Sequence, residues 1–206
     1  MQKIAVLAVG PGSPGYLPPV IAEEAGKCGV LVGGKRNLAL FNFPGQEKIE
    51  ISGKLDLLLE QIRDKMSDHK VGILVSGDTG IYSLLPRLVN EFGRDALDVF
   101  PGISAVQYLF ARLGLTWQNA RFVSLHGRDL HDLEAAVDSE SPVVLFTDPK
   151  NSPASVCSRL AGAGIKKKVY IGEDLSYPTE KISAGYPEEF VSFSGSDLNL
   201  VVIIDE

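Results

Sequence analysis

The sequence predicts an α/β protein of two domains, the first built on a mostly parallel sheet and the second on a mixed one. Three observations carry that expectation. Short unbroken apolar runs recur, as in KIAVLAV (3–9), CGVLV (28–32) and VGILV (71–75), and segments of helical character stand between them. Strands buried on both faces read this way, and their alternation with helices is the signature of parallel pairing. The stretch LGLTWQNA (113–120) interrupts the alternation, which then starts again. Between Lys181 and Ile204 no strong helix appears, and the chain runs out in LNLVVII (198–204), as antiparallel strands completing a mixed sheet would.

Taken in order, residues 3–9 form the first strand. Residues 18–25 (PPVIAEEA) follow as a helix, with proline tolerated in its first turn. The second strand, 28–32, ends in Gly33 and Gly34. Residues 35–40 read as a helical turn, and EKIEI (47–51) alternates like an edge strand. Leu55, Leu58, Leu59, Ile62 and Met66 recur at helical spacing over 55–66. Strand 71–75 leads through SGDTGIYS into a helix ending at Phe92. LDVF (97–100) is a strand, PGIS follows it, and a helix is expected over 102–112. The domain boundary is placed at 113/114, giving domains 1–113 and 114–206. The second domain reads as strand 121–125, helix 129–138, strand 142–146, helix 153–162 and strand 168–172, before the terminal strands. Phe110 and Trp117 read as packing residues.

The bulk numbers narrow the function classes. Of 206 residues, 45% are apolar and 22% charged, which is ordinary for a soluble globular chain. A formal charge of −6 argues against a nucleic-acid partner, so a polyanionic substrate would need a local group of cations. Two cysteines without a CxxC pair, and three histidines, argue against a zinc site; Cys28 and Cys157 read as reduced core thiols of a cytoplasmic protein. No run approaches the roughly 18 apolar residues of a membrane span, and no leader segment is recognisable.

GPGSPG (10–15) after the first strand matches the GxGxxG of a dinucleotide-binding turn by letter. Such a site also needs an acidic residue at the end of the second strand for the ribose hydroxyls. Here that strand ends in Gly33-Gly34-Lys35-Arg36, and Glu23 and Glu24 belong to the intervening helix. Pro14 stiffens the loop and removes an amide that a pyrophosphate would use. A dinucleotide cradle does not fit. What remains is a set of three glycine loops after three predicted parallel strands: 10–15, Ser76-Gly77-Asp78-Thr79-Gly80, and Pro101-Gly102-Ile103-Ser104. Loops at the carboxyl ends of parallel strands line the usual ligand crevice of an open sheet, and glycines let a ligand approach the backbone closely.

GPGSPG, SGDTGIYS and PGISAVQYLFARLG, in that order, resemble the tetrapyrrole methylase family. SLHGRD (124–129), NSPASVCSRL and GEDLSYPTEKI resemble its branch that methylates C5 of precorrin or cobalt-precorrin in cobalamin synthesis. The resemblance spans residues 3–204. It implies two α/β domains, S-adenosylmethionine in the cleft between them, and a homodimer. It implies that Pro11 lies near the cofactor, that Ser76, Gly77, Asp78 and Ile81 contact its methionine part, and that Ser104 and Ala105 add contacts. It further implies contacts to the adenosine from Phe146, Thr147, Gly172 and Leu200. Two positions depart from the family pattern, which has proline where Thr79 stands and Leu-Thr where Leu17-Pro18 stands. Many relatives are fused to a CbiT-like decarboxylating methyltransferase, so that activity is expected in a separate partner.

Methyl transfer from a sulfonium needs placement more than activation, and no nucleophile–base pair or metal cluster is evident. Asp78 reads either as an acid–base group or as a turn aspartate bonding nearby amides, and its glycine context favours the second. Tyr82 is a further candidate for proton transfer, against a packing role. His126-Gly127-Arg128 follows strand 121–125 directly and offers an arginine fork to the substrate's carboxylates. Gly12 and Ser13 join these three as candidate substrate contacts. Two alternatives stay open: a methylase of the same fold with another substrate (another tetrapyrrole position or a diphthamide-type target), and a non-catalytic module that binds S-adenosylmethionine or a tetrapyrrole.

Overall fold

In the computed structural model, which describes residues 2–127, 133–137 and 142–205, the first apolar run forms strand β1 (Ile4–Ala8), buried along its whole length. The chain divides into two units, Met1–Ser104 and Ala105–Glu206. In the first, β1 lies in a five-stranded sheet with β2 (Val30–Gly33), β3 (Glu47–Glu50), β4 (Val71–Val75) and β5 (Leu97–Phe100). The strand order is β3-β2-β4-β1-β5, and every neighbouring pair is parallel.

Both faces of that sheet are covered, which is why its central strands are unbroken apolar runs. Successive residues of a strand point to opposite faces. Ile4, Val6 and Ala8 therefore join Leu58, Leu59 and Ile62 of α3 (Leu55–Lys65) and Leu88 of α4 (Leu85–Phe92). Ala5, Leu7 and Val9 join Ile21 and Ala25 of α1 (Pro19–Gly26) and Leu38 of α2 (Lys35–Leu38) on the other face. Each fully buried Val, Leu or Ile contributes about 1.5–3 kcal/mol relative to exposure. Edge strand β3 keeps the expected alternation, with Ile49 turned inward between exposed Lys48 and Glu50.

The second unit has a mixed sheet of β6 (Arg121–Ser124), β7 (Val143–Phe146), β8 (Lys168–Glu173), β9 (Lys181–Gly185) and β10 (Asn199–Ile204), in the order β6-β7-β10-β8-β9. Only β6 and β7 pair in parallel; β10 runs antiparallel to β7 and β8, and β9 antiparallel to β8. Val201 and Ile203 pack with Val156, Cys157 and Leu160 of α7 (Pro153–Gly162), together with Leu133 and Val137 of α6 (Leu133–Val137). Leu200, Val202 and Ile204 pack with Val106, Leu109 and Phe110 of α5 (Ala105–Leu113).

That last cluster explains where the division of the chain departs from the expected 113/114. Helix α5 buries its apolar face against the second sheet, so the division falls at 104/105. The helix also starts at Ala105, later than the expected 102, and Gly102 lies in the preceding loop, close against Ala8 and Gly77. Phe110 is fully buried as expected, whereas Trp117 is 44% exposed. Of the expected helix over 129–138, residues 133–137 are described and are helical. No helix among the described residues is long and apolar enough to cross a membrane.

Candidate active site

The parallel order places β1 between β4 and β5, so the three glycine loops leave adjacent strand ends. They are also bonded to one another. Gly10 and Gly77 form an isolated bridge: the Gly77 amide donates to the Gly10 carbonyl at 2.8 Å and the Gly10 amide to the Gly77 carbonyl at 3.2 Å. Gly10 adopts φ +80°, and a side chain there would also sit 2.7 Å from the Tyr16 carbonyl oxygen. Pro14 does not enter a helix. It opens a short 3-10 turn, Pro14–Tyr16, and α1 begins at Pro19, which separates this loop from a dinucleotide turn, where the glycines run into the helix.

Asp78 is the tie between the second and third loops. Its Oδ1 accepts from the Gly80 amide at 2.8 Å and its Oδ2 from the Gly102 amide at 3.2 Å. Both oxygens thus serve backbone amides, the bracing role that the glycine context favours. Exposed Ser76 exchanges hydrogen bonds with Asn37 of α2 at 3.2 and 3.3 Å. Asn37 carries no motif, and its only signal is its place just after β2, the neighbour of β4. Pro11, Ser13 and Ile81 are half-buried; Gly12 and Ser104 are buried. Tyr82 is 55% exposed and adopts φ +45°, uncommon for a bulky residue.

In the second unit, His126 and Gly127 stand exposed directly beyond β6, and Arg128 lies outside the described residues. The turn is held by two side chains from the segment after β7. Asp148 accepts from the Gly127 amide at 2.9 Å (Oδ2) and from the Asn151 amide at 2.6 Å (Oδ1). Hydrogen bonds from the Asn151 and Gly127 amides hold the Asp148 carboxyl below its ordinary value. Asn151, 2% exposed, donates through Nδ2 to the Leu125 carbonyl at 2.7 Å. Sequence reasoning gave neither residue this role, because their partners lie 21 and 26 positions away.

The same sheet brings Phe146, Leu200 and Gly172 into one row. Register pairs Leu200 with Gly172 and Val201 with Leu145, which puts Phe146 beside Leu200. All three lie on the α5 side, where a side chain at Gly172 would meet Leu175 at 2.9 Å and Leu109 at 3.1 Å. Thr147, 6% exposed, donates its hydroxyl to Asn199 Oδ1 at 2.5 Å. Next to Gly172, Glu173 accepts from the Ser196 amide at 2.7 Å, and Asp174 from the Ser196 hydroxyl at 2.6 Å and the Thr179 hydroxyl at 3.0 Å. Arg112 pairs with Glu180 at 3.1 Å. Burial pushes the Glu180 carboxyl up, but hydrogen bonds from Tyr108 and the Ser176 amide, with the Arg112 charge, outweigh it and hold the group below its ordinary value.

The three loops contain no lysine or arginine and one carboxylate. That carboxylate, Asp78, is engaged through both oxygens by backbone amides. Among the described residues, no three His, Cys, Asp or Glu side chains are placed to share a metal ion.

A parallel α/β unit with glycine loops bonded together at its carboxyl edge, followed by a mixed-sheet unit, is a two-unit α/β fold. The chain belongs to the Tetrapyrrole (Corrin/Porphyrin) Methylases, whose family model matches residues 3–190. It is 32% identical over 204 residues to the cobalt-precorrin-7 C(5)-methyltransferase of Salmonella typhimurium, covering 98% of this chain and 99% of that protein. Its fold matches the cobalamin biosynthesis precorrin-6Y methylase (cbiE) of Archaeoglobus fulgidus with a TM-score of 0.74 at 21% identity, over 99% of this chain and 98% of that one. It likewise matches the uroporphyrin-III C-methyl transferase of Thermus thermophilus complexed with S-adenosylhomocysteine, with a TM-score of 0.78 at 20% identity, over 98% and 92%.

Proposed function

We propose that this chain transfers a methyl group from S-adenosylmethionine to C5 of a precorrin or cobalt-precorrin in cobalamin biosynthesis. The observation that carries this reading is the 32% identity to the Salmonella C5-methyltransferase across nearly the whole of both chains. S-adenosylmethionine supplies the methyl group as a sulfonium, and the Thermus relative holds the corresponding product.

The chain's own task is placement. Ser76, Gly77, Asp78 and Ile81 contact the methionine portion, Pro11 lies near the cofactor, Ser104 and Ala105 add further contacts, and Asp78 also ties the second loop to the third through its two amide bonds. Phe146, Thr147, Gly172 and Leu200 contact the adenosine. Because Thr147 is occupied by Asn199 and Leu200 is core, the contacts at those two positions come from backbone atoms. Loops held this way keep methyl and carbon in attack geometry, an effect worth up to about 7–11 kcal/mol in well-oriented systems. An electron-rich meso carbon needs little further activation, and Tyr82 is the candidate for taking up the departing proton. Gly12, Ser13, His126, Gly127 and Arg128 meet the acetate and propionate carboxylates of the macrocycle. A homodimer, a cytoplasmic location and a CbiT-like methyltransferase partner belong to the same reading; sedimentation tests the first.

The direct test supplies purified protein with S-adenosylmethionine and enzymatically prepared corrin precursor, with and without cobalt. Formation of S-adenosylhomocysteine in step with a mass gain of one methyl group at C5 is expected. Binding of both ligands without turnover would make the chain a binding module instead.

A further inference from the structure

We propose that Asp148 is a positioning residue for the substrate: its carboxylate, aided by the Asn151 side-chain amide, clamps the His126-Gly127 turn so that the His126 side chain meets the macrocycle carboxylates in a fixed register. The proposal rests on the methylation reading above and names how one half of that site is held.

Strands β6 and β7 run parallel with Ser124 beside Phe146, and the Leu125 amide donates to the Phe146 carbonyl at 2.9 Å. Beyond that bond the ladder stops, yet the chain must still present His126 at a defined place. Gly127, at φ +65°, gives the turn its shape but no stiffness of its own. The clamp replaces the missing ladder. Asn151 takes the Leu125 carbonyl at 2.7 Å, and Asp148 takes the Gly127 amide at 2.9 Å while its other oxygen takes the Asn151 amide at 2.6 Å.

The residue types matter. Two amides must be accepted at once, and a carboxylate offers two acceptor oxygens with no donor, whereas a carboxamide offers one. A carboxylate beside a site for anionic substrate would normally repel it. Here both oxygens are engaged by amide donors, so the charge is locally compensated.

The test compares Asp148→Ala and Asp148→Asn with wild type in the full chain. Loss of both charge-assisted bonds should raise KM for the corrin precursor by about tenfold, with kcat within about twofold. Affinity for S-adenosylhomocysteine should stay at the wild-type value, and amide exchange over residues 125–127 should quicken. Asp148→Asn, which keeps one acceptor, should fall between, and it carries the test alone if the alanine variant does not fold. An unchanged KM in a folded variant, or a parallel loss of S-adenosylhomocysteine affinity, overturns the clamp while methylation stands. A wild-type protein that turns over no corrin precursor overturns the methylation reading and this proposal with it.

Discussion

The Gly102 amide donates to Asp78 Oδ2 across 3.2 Å, joining the loop after β5 to the loop after β4 with β1 between them. A Cβ on Gly102 would sit 2.6 Å from the Gly77 carbonyl oxygen and 2.7 Å from that of Ala8. The pair thus needs a carboxylate on one side and a bare Cα on the other, and both conditions can be tested.

Gly102→Ala should be among the most damaging single-methyl additions in the first unit. The clashing atoms are backbone and cannot move aside as a side chain would, so a cost of about 1–3 kcal/mol or more is expected. Thermal melting reads the stability, and calorimetry reads S-adenosylhomocysteine binding, which should weaken at least about tenfold. Wild-type values in both would mean that the loops are not held as described.

Asp78→Ala removes the acceptor for two amides, each bond to a charged group being worth about 1.5–3 kcal/mol. Cofactor affinity should drop with it, while Asp78→Asn keeps part. Were Asp78 a proton acceptor in turnover instead, the asparagine variant would bind normally and lose kcat. The contrast between binding and rate separates the two roles.

Glu180 has a definite pH signature. Its folded pKa is depressed below the ordinary 4.5, so its contribution is full above that value and disappears as pH falls through the depressed one. Wild type should be more stable than Glu180→Gln at neutral pH, and the gap in melting temperature should close on acidification below 4.5. A gap independent of pH would show that the Tyr108, Ser176 and Arg112 contacts do not act through its charge.

The cysteines should be chemically silent. Burial pushes the Cys28 thiol up to about 11 and the Cys157 thiol up to about 12, and both side chains are nearly inaccessible. A thiol reagent at neutral pH should titrate neither in native protein and both in denaturant. Rapid labelling under native conditions would show that the segment between α1 and β2, or helix α7, opens.

Much of the fold was legible from local pattern. Strand β4 coincides with the apolar run 71–75 and β5 with LDVF, and α3 follows from helical spacing, because a face buried against a sheet writes its period into the residues. The boundary was less legible. LGLTWQNA breaks the pattern, but helix α5 before it carries apolar residues that suit either sheet, and only packing against Val144 and Val202 decided which.

For the site, the sequence by itself determined which loops are glycine-rich, that they follow parallel strands, that no ribose carboxylate exists, and that HGR stands at a strand end. These are properties of adjacent residues. The tertiary structure alone decided that Asp78 braces Gly102 across 24 positions, that Asn37 meets Ser76 across 39, and that Asp148 and Asn151 hold the turn after β6. It also set Phe146, Gly172 and Leu200 in one row through the antiparallel register of β10. Those partners are chosen by strand order, and strand order depends on which distant surfaces bury each other best, a property of the folded whole that no short window of residues contains.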